Sequence, residues 1–206
     1  MKQKIAIVDY NMGNLASVQN ALSKLGQNSV IESDPEKFIE YDKLILPGVG
    51  AFGDAMEHLQ ERNMVDAIKG YAESGKYMFG ICLGMQLLFE SSQEFGSNEG
   101  LGLIKGHVEA FDTKKFSEPL KVPHMGWNRM FTKDHPLFNG LDEKHYLYFV
   151  HSFHAVCDNE DDIIGRTEYG YEFSSSVAKD NVLGIQPHPE KSHENGLKIL
   201  ENFINL

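Results

Sequence analysis

Cysteine is scarce in this chain: Cys82 and Cys157 are the only two in 206 residues. Two thiols in so long a chain make no disulfide framework, and they point to a reducing compartment, the cytoplasm. Basic residues are in deficit as well. Nineteen Lys and Arg against 30 Asp and Glu leave a formal net charge of −11. Nucleic acid and anionic membranes both attract basic surfaces, so no nucleic acid and no membrane is expected as a partner. Long apolar runs are missing. The most apolar stretch, Tyr77 to Phe89, is broken by glycines and falls short of the ~20 residues that span a bilayer. The segment Met1-Lys2-Gln3-Lys4 runs straight into a strand-like stretch, without the apolar core and cleavage site of a signal peptide.

What is present is an ordinary globular composition, with 41% hydrophobic residues to build a core. A chain of this size buries roughly 70% of the surface its unfolded form exposes, so it folds without metal or disulfide. One domain over residues 1–206 is expected. No internal repeat, low-complexity segment or Pro/Ser-rich linker divides it.

The first half alternates short β-branched runs with helical patterns. Strands are expected at 5–9, 29–31, 43–46 and 77–81, with Pro47 ending the third. Leu15, Val18, Leu22 and Leu25 recur at helical spacing, and Gly26 closes that helix. Residues 55–59, 65–73 and 85–89 also read as helical. Such alternation implies an α/β fold with a parallel sheet covered on both faces. The second half changes character. Strand-like runs at 107–111, 146–150, 173–178 and 182–186 are joined by turn-rich segments, with Gly170 and Asp180-Asn181 at hairpin positions. Antiparallel strands appended to the parallel sheet are expected, followed by a last helix over 194–204.

Chemistry concentrates at Gly80-Ile81-Cys82-Leu83-Gly84. This is a G-x-nucleophile-x-G elbow between a strand and a helix, with cysteine in place of serine. Glycines let neighbouring backbone approach a strained nucleophile, and a helix start offers N–H groups to a thiolate. The N–H of Leu83 can then donate to a developing oxyanion. A buried structural cysteine is the commoner fate of a lone thiol, and Cys157 is assigned to it.

A thiol needs a base, and the base needs an orienting partner. Of nine histidines, His188 is best placed, in Gln186-Pro187-His188-Pro189-Glu190. In extended backbone, residues two apart share a side, which brings Glu190 to the His188 ring. A metal grouping of His188, Glu190 and His193 is the competing reading, although its spacing matches no zinc motif. Gly48-Val49-Gly50-Ala51-Phe52-Gly53 also matches G-x-G-x-x-G after a strand, the argument for a nucleotide-dependent oxidoreductase. Its context is wrong: it follows the third strand-like run, and Glu73, twenty residues on, lies in a helical segment. Val49, between two glycines, makes better sense as a second backbone oxyanion donor.

With Cys82, His188-x-Glu190 and Pro47-Gly48-Val49-Gly50 in hand, the chain closely resembles the class I (triad) glutamine amidotransferases. Within that family it is similar to the glutaminase subunits that serve histidine biosynthesis. The likeness covers nearly the whole chain, including residues 9–14, 46–53, 80–89, 122–128, 148–152 and 188–192. It implies the three-layer α/β fold of that family and hydrolysis of L-glutamine to glutamate and ammonia. Cys82 would form a glutamyl thioester, His188 would act as base and acid, and Glu190 would orient it. Val49 and Leu83 would form the oxyanion hole. Gly50, Gln86, His151, Ser152 and Phe153 would hold the substrate. The resemblance implies a heterodimer with a (β/α)8-barrel cyclase subunit that consumes the ammonia. Asn11, Asn14, Met125, Trp127, Tyr148 and Lys191 are expected at that interface, with a buried core position as the alternative for Trp127. No cofactor and no metal are expected. The chain departs from the family at Pro187, at Ser174-Ser175-Ser176 and at His151-Ser152-Phe153-His154. The alternatives are a paralogous glutaminase feeding another synthase, such as one that modifies surface sugars, and a non-catalytic binding module.

Overall fold

The computed structural model describes residues 3–206. Met1 and Lys2, the start of the N-terminal stretch read above, lie outside the described residues. The first half runs β1 (Ile5–Val8), α1 (Leu15–Lys24), β2 (Ser29–Glu32), β3 (Lys43–Gly48), α2 (Phe52–Glu61), α3 (Met64–Glu73), β4 (Met78–Cys82) and the single turn α4 (Leu83–Gln86). Successive side chains of a strand point to opposite faces, and here both faces are covered. Ile5, Ile7, Ile45, Phe79 and Ile81 cluster with Val18 and Leu22 of α1. Ala6, Val8, Leu44, Leu46 and Met78 cluster with Met56 and Leu59 of α2 and Ile68 and Tyr71 of α3. A strand buried on both sides is apolar throughout, which is why these runs stand out in the sequence.

The second half adds β5 (Ser91–Ser92), β6 (Asn98–Glu99), β7 (Gly106–Ala110), β8 (His124–Arg129), β9 (Phe131–Thr132), β10 (Tyr146–His151), β11 (Phe153–Cys157), β12 (Ile163–Glu168), β13 (Glu172–Lys179) and β14 (Val182–Ile185), then α5 (His193–Asn205). The main sheet runs β2-β1-β3-β4-β14-β13-β11-β7-β5-β6, with β12 beside β13 and β9 beside β12. Its β2-to-β14 portion is parallel, and β13, β11 and β7 continue it antiparallel. Strands β8 and β10 form a separate antiparallel ribbon. Helix α5 closes the α1 side, with Phe203 stacked on Phe79 at 5.0 Å. Gly170 and Asp180, both at positive φ, make the expected hairpin turns. Among the described residues, no helix is long and apolar enough to cross a membrane.

Several elements differ from their sequence expectation. The strand read at 146–150, β10, pairs with β8 in the separate ribbon and is not part of the main sheet, and β8, β11 and β12 have no counterpart in the sequence reading. Strand β3 runs through Pro47 to Gly48 instead of ending there. Its pairing with β1 stops at Ile45, while Pro47 pairs only with β4, so the missing N–H breaks no ladder. The helix expected over 85–89 starts two residues earlier and lasts one turn. Adjacent parallel strands β3, β4 and β14 end at Gly48, Cys82 and Ile185. Ligands of open parallel sheets bind at such carboxyl ends.

Candidate active site

Cys82 is the last residue of β4 and the cap of α4, at φ 56° and ψ −114°. A non-glycine residue held there stores strain on the order of 1–3 kcal/mol, which close packing must sustain. The flanking glycines show how close it is. A side chain at Gly80 would lie 2.6 Å from the Gly84 carbonyl oxygen, and one at Gly84 would strike the Leu46 carbonyl. Because α4 is a single turn, no long helix dipole stands behind Cys82.

Beyond β14 the chain turns across the site. His188 Nδ1 lies 2.7 Å from Glu190 Oε1, with side chains only 3% and 2% exposed. The extended backbone expected from the sequence is not found there. Pro189–Lys191 form a 3-10 turn, and Glu190 folds back onto the ring. The turn is pinned to β10. The His188 N–H donates to the Tyr148 carbonyl at 2.8 Å, Ser192 Oγ donates to the His188 carbonyl, and the Tyr148 N–H donates to Ser192 Oγ. With Nδ1 given to Glu190, the buried Nε2 carries no conventional hydrogen-bond partner. Burial disfavours the imidazolium, but the Cys82 sulfur and the Glu190 carboxylate outweigh it and lift His188 well above the usual histidine range.

Val49, Gly50, Cys82, Leu83, Gln86, His151, Ser152, Phe153 and His188 all line one cavity of about 330 Å³. Glu190 stands outside that lining, behind the His188 ring. The glycine loop is held by Tyr10, whose hydroxyl donates to the Pro47 carbonyl at 2.8 Å. A side chain at Gly48 would meet that hydroxyl at 2.5 Å, and Gly50 adopts φ +99°. At the start of α2, the Phe52 N–H donates to Glu94 Oε2 at 2.8 Å. In a dinucleotide site a pyrophosphate would occupy such a helix start. Here the chain's own carboxylate takes that place.

Glu94 also lines the cavity, as do Pro123, Val150 and Lys191. Burial pushes its carboxyl up, against the pull of the Phe52 N–H. Nothing in the polar, turn-rich segment 91–100 marks Glu94 in the sequence. Tyr10, Gln186 and His124 fall within quoted motifs, but what they do is not legible there, since their partners lie far along the chain.

Phe153 contributes its carbonyl oxygen, which accepts from His151 Nδ1 at 2.8 Å and Gln86 Nε2 at 3.0 Å. His151 Nε2 therefore accepts, and His124 Nδ1 donates to it at 2.9 Å. Asn128 Nδ2 donates to His124 Nε2 at 3.2 Å and to the Glu168 carbonyl at 2.9 Å. A carbonyl at each end thus assigns both tautomers, with both rings neutral. Burial enforces this, lowering His124 to about 4 and, with help from the His124 charge, His151 to about 3. Gln86 spends its second hydrogen on Gln186 Oε1 at 2.9 Å. Its carbonyl oxygen is what it can offer a ligand.

The residues expected at a partner face lie outside the core. Met125 is 62% and Trp127 47% exposed, against the core alternative for Trp127. Trp127 stacks on His193 at 5.0 Å and meets Tyr148 edge-on, while Lys191 Nζ reaches over the Tyr148 ring. His193, third member of the metal grouping, is thus committed to Trp127. Among the described residues no group of three His, Cys, Asp or Glu side chains is arranged to hold a metal. Helix α1 borders the same patch, where Ser17 and Asn20 share a groove with Lys191 and His193. Asn14 caps α1 through the Ser17 N–H, and Asn11 is exposed at φ 69°. Cys157 is half-buried on β11, its thiol pushed up to about 11 chiefly by burial.

The profile of the glutamine amidotransferase class-I family matches residues 6–206. A Sulfurimonas denitrificans protein named imidazole glycerol phosphate synthase subunit HisH is 78% identical over 199 residues, covering 97% of this chain and 96% of its own length. Its namesake from Wolinella succinogenes is 57% identical, covering 98% of this chain and 99% of its own. Among solved structures, PurLQS from Thermotoga maritima superposes with a TM-score of 0.78 at 25% identity, covering 100% of this chain and 99% of its own. A structure described as a glutamine amidotransferase superposes with a TM-score of 0.74 at 20% identity, covering 96% of this chain and 98% of its own.

Proposed function

The chain belongs to the class I glutamine amidotransferases, and from that premise we propose that it is the glutaminase subunit of an imidazole glycerol phosphate synthase in histidine biosynthesis. It hydrolyses L-glutamine and hands the ammonia to a synthase subunit. The observation that carries the chemistry is a strained Cys82 whose sulfur interacts with His188, a histidine whose Nδ1 Glu190 holds at 2.7 Å.

Cys82 passes its thiol proton to His188 Nε2, and the sulfur attacks the side-chain amide carbon of glutamine. The Val49 and Leu83 N–H groups receive the oxyanion. His188 returns the proton to the departing nitrogen, and ammonia leaves a glutamyl thioester. Water, deprotonated by the same ring, then releases glutamate and the thiol. Glu190 keeps the ring in the right tautomer throughout. Glu94 and the Gln86 carbonyl suit the substrate ammonium, while Gly50, His151, Ser152 and Phe153 shape the wall behind it.

The partner is a (β/α)8-barrel cyclase in a cytoplasmic heterodimer, which makes imidazole glycerol phosphate and aminoimidazole carboxamide ribonucleotide. The amidotransferase works as one domain over residues 1–206 and needs no cofactor. Cys82→Ala tests the reading. In the complex, glutamine hydrolysis should fall by roughly 10⁴-fold or more, while synthesis from added ammonia persists. Hydrolysis near the native rate in Cys82→Ala sinks it.

A further inference from the structure

We propose that Gln186 is a third side chain acting on the nucleophile: its amide donates to the Cys82 sulfur, holds it in place, and stabilises the charge it carries during attack and departure. The inference rests on Cys82 being the nucleophile.

Gln186 follows β14 directly and is fully buried, and its main-chain N–H is fixed on the Ser175 carbonyl at 2.8 Å. Its Nε2 lies 3.7 Å from Cys82 Sγ, a hydrogen-bonding distance for the larger sulfur atom. The amide orientation follows from its neighbours. The Phe153 carbonyl can only accept, so the Gln86 atom beside it is the nitrogen. That same nitrogen lies 2.9 Å from Gln186, so the Gln186 atom there is the oxygen. The Gln186 nitrogen is left for the sulfur.

An apolar side chain would fill this buried space without needing polar partners. Gln186 instead has both ends matched, one by Gln86 and one by the nucleophile. An amide stabilises a thiolate without taking its proton, so it does not compete with His188 as base. Gln186 and His188 stand two residues apart on one segment. The end of β14 thus brings a donor and a base to the same atom.

The test uses the full chain in complex with its synthase subunit. Gln186→Met keeps the length and removes the donor. The kcat for glutamine hydrolysis should fall about tenfold or more, with KM changed no more than about twofold. The pH midpoint for iodoacetamide alkylation of Cys82, separated from Cys157 by mass spectrometry, should move up. Gln186→Glu keeps the acceptor for Gln86 but turns a carboxylate oxygen toward the sulfur, and should move that midpoint further. Folded variants with native kcat and a native alkylation profile overturn the proposal. If Gln186→Met does not fold, the alkylation profile of the isosteric Gln186→Glu decides alone. Alkylation of Cys82 that leaves the unmodified sequence's glutaminase active overturns the nucleophile reading itself, whatever the Gln186 variants do.

Discussion

His124 Nδ1 donates to His151 Nε2 at 2.9 Å, and Asn128 Nδ2 donates to His124 Nε2, a chain that suits neutral rings only. A proton on His151 Nε2 would face the His124 N–H, and one on His124 Nε2 would face the Asn128 N–H. The pH consequence has a definite sign. Their folded values are depressed, to about 4 and about 3, so they add stability above the ordinary histidine value near 6.5. That stability is lost as pH falls, because the unfolded chain takes up protons first. His188, whose value is raised, acts in the opposite sense: its contribution is complete below the ordinary value and fades as pH rises. We expect an acid loss of about 2 kcal/mol per lowered histidine between pH 7 and pH 5. His124→Gln should shrink the difference between urea unfolding curves at these two pH values. An unchanged difference would show that His124 does not titrate there. His151 itself was legible as a cavity residue, but not the use of its ring. Both nitrogens bond to the protein, one to the Phe153 carbonyl and the other to a ring 27 residues away along the chain. Cys82 and His188 were easier to read because each lies in a short motif, one framed by Gly80 and Gly84 and the other running through Pro189 to Glu190.

At the scale of elements, legibility followed burial. Strands β1, β3, β4 and β14 are apolar on both faces, and their runs are plain. Strand β8 carries a glycine and half-exposed polar residues, and β12 pairs through shifted registers, so neither shows a clean alternation. The loop after β3 could be read as glycine-rich, but its conformation could not. At φ +99°, Gly50 occupies a region that proline, locked near −65°, cannot enter. A side chain there would also approach the Met12 methyl at 2.8 Å. Gly50→Pro should therefore rebuild the loop and displace the Val49 N–H while leaving the sheet intact. Loss of one oxyanion donor costs about 10²–10³ in turnover. We expect glutaminase kcat to fall by that much even with the synthase subunit bound, with synthesis from added ammonia unaffected. Gly50→Pro hydrolysing glutamine at the native rate would remove Val49 from the oxyanion site.

For the whole molecule, the requirement is that ammonia reach the synthase subunit before it meets bulk water, where it is mostly protonated and no longer a nucleophile. The mouth of the cavity must then face the partner. Lys191 belongs both to the cavity lining and to the patch of Trp127, Tyr148 and His193, so the patch adjoins the site. Trp127 sits on the β8–β10 ribbon, roughly half exposed, with its ring stacked on His193 and no core position to hold it there. Exposed tryptophans of this kind anchor interfaces, and truncating such an anchor costs about 2 kcal/mol or more of binding. Trp127→Ala should leave the isolated subunit folded, with an unfolding midpoint close to native. In titration calorimetry with the synthase subunit, affinity should drop at least about thirtyfold. In the assembled enzyme, glutamate formed per synthase product should rise above one, because a loosened seam lets ammonia escape. If affinity and the one-to-one ratio both survive, the partner docks elsewhere. Collapse of the isolated subunit would instead show that stacking on His193 holds the ribbon to α5.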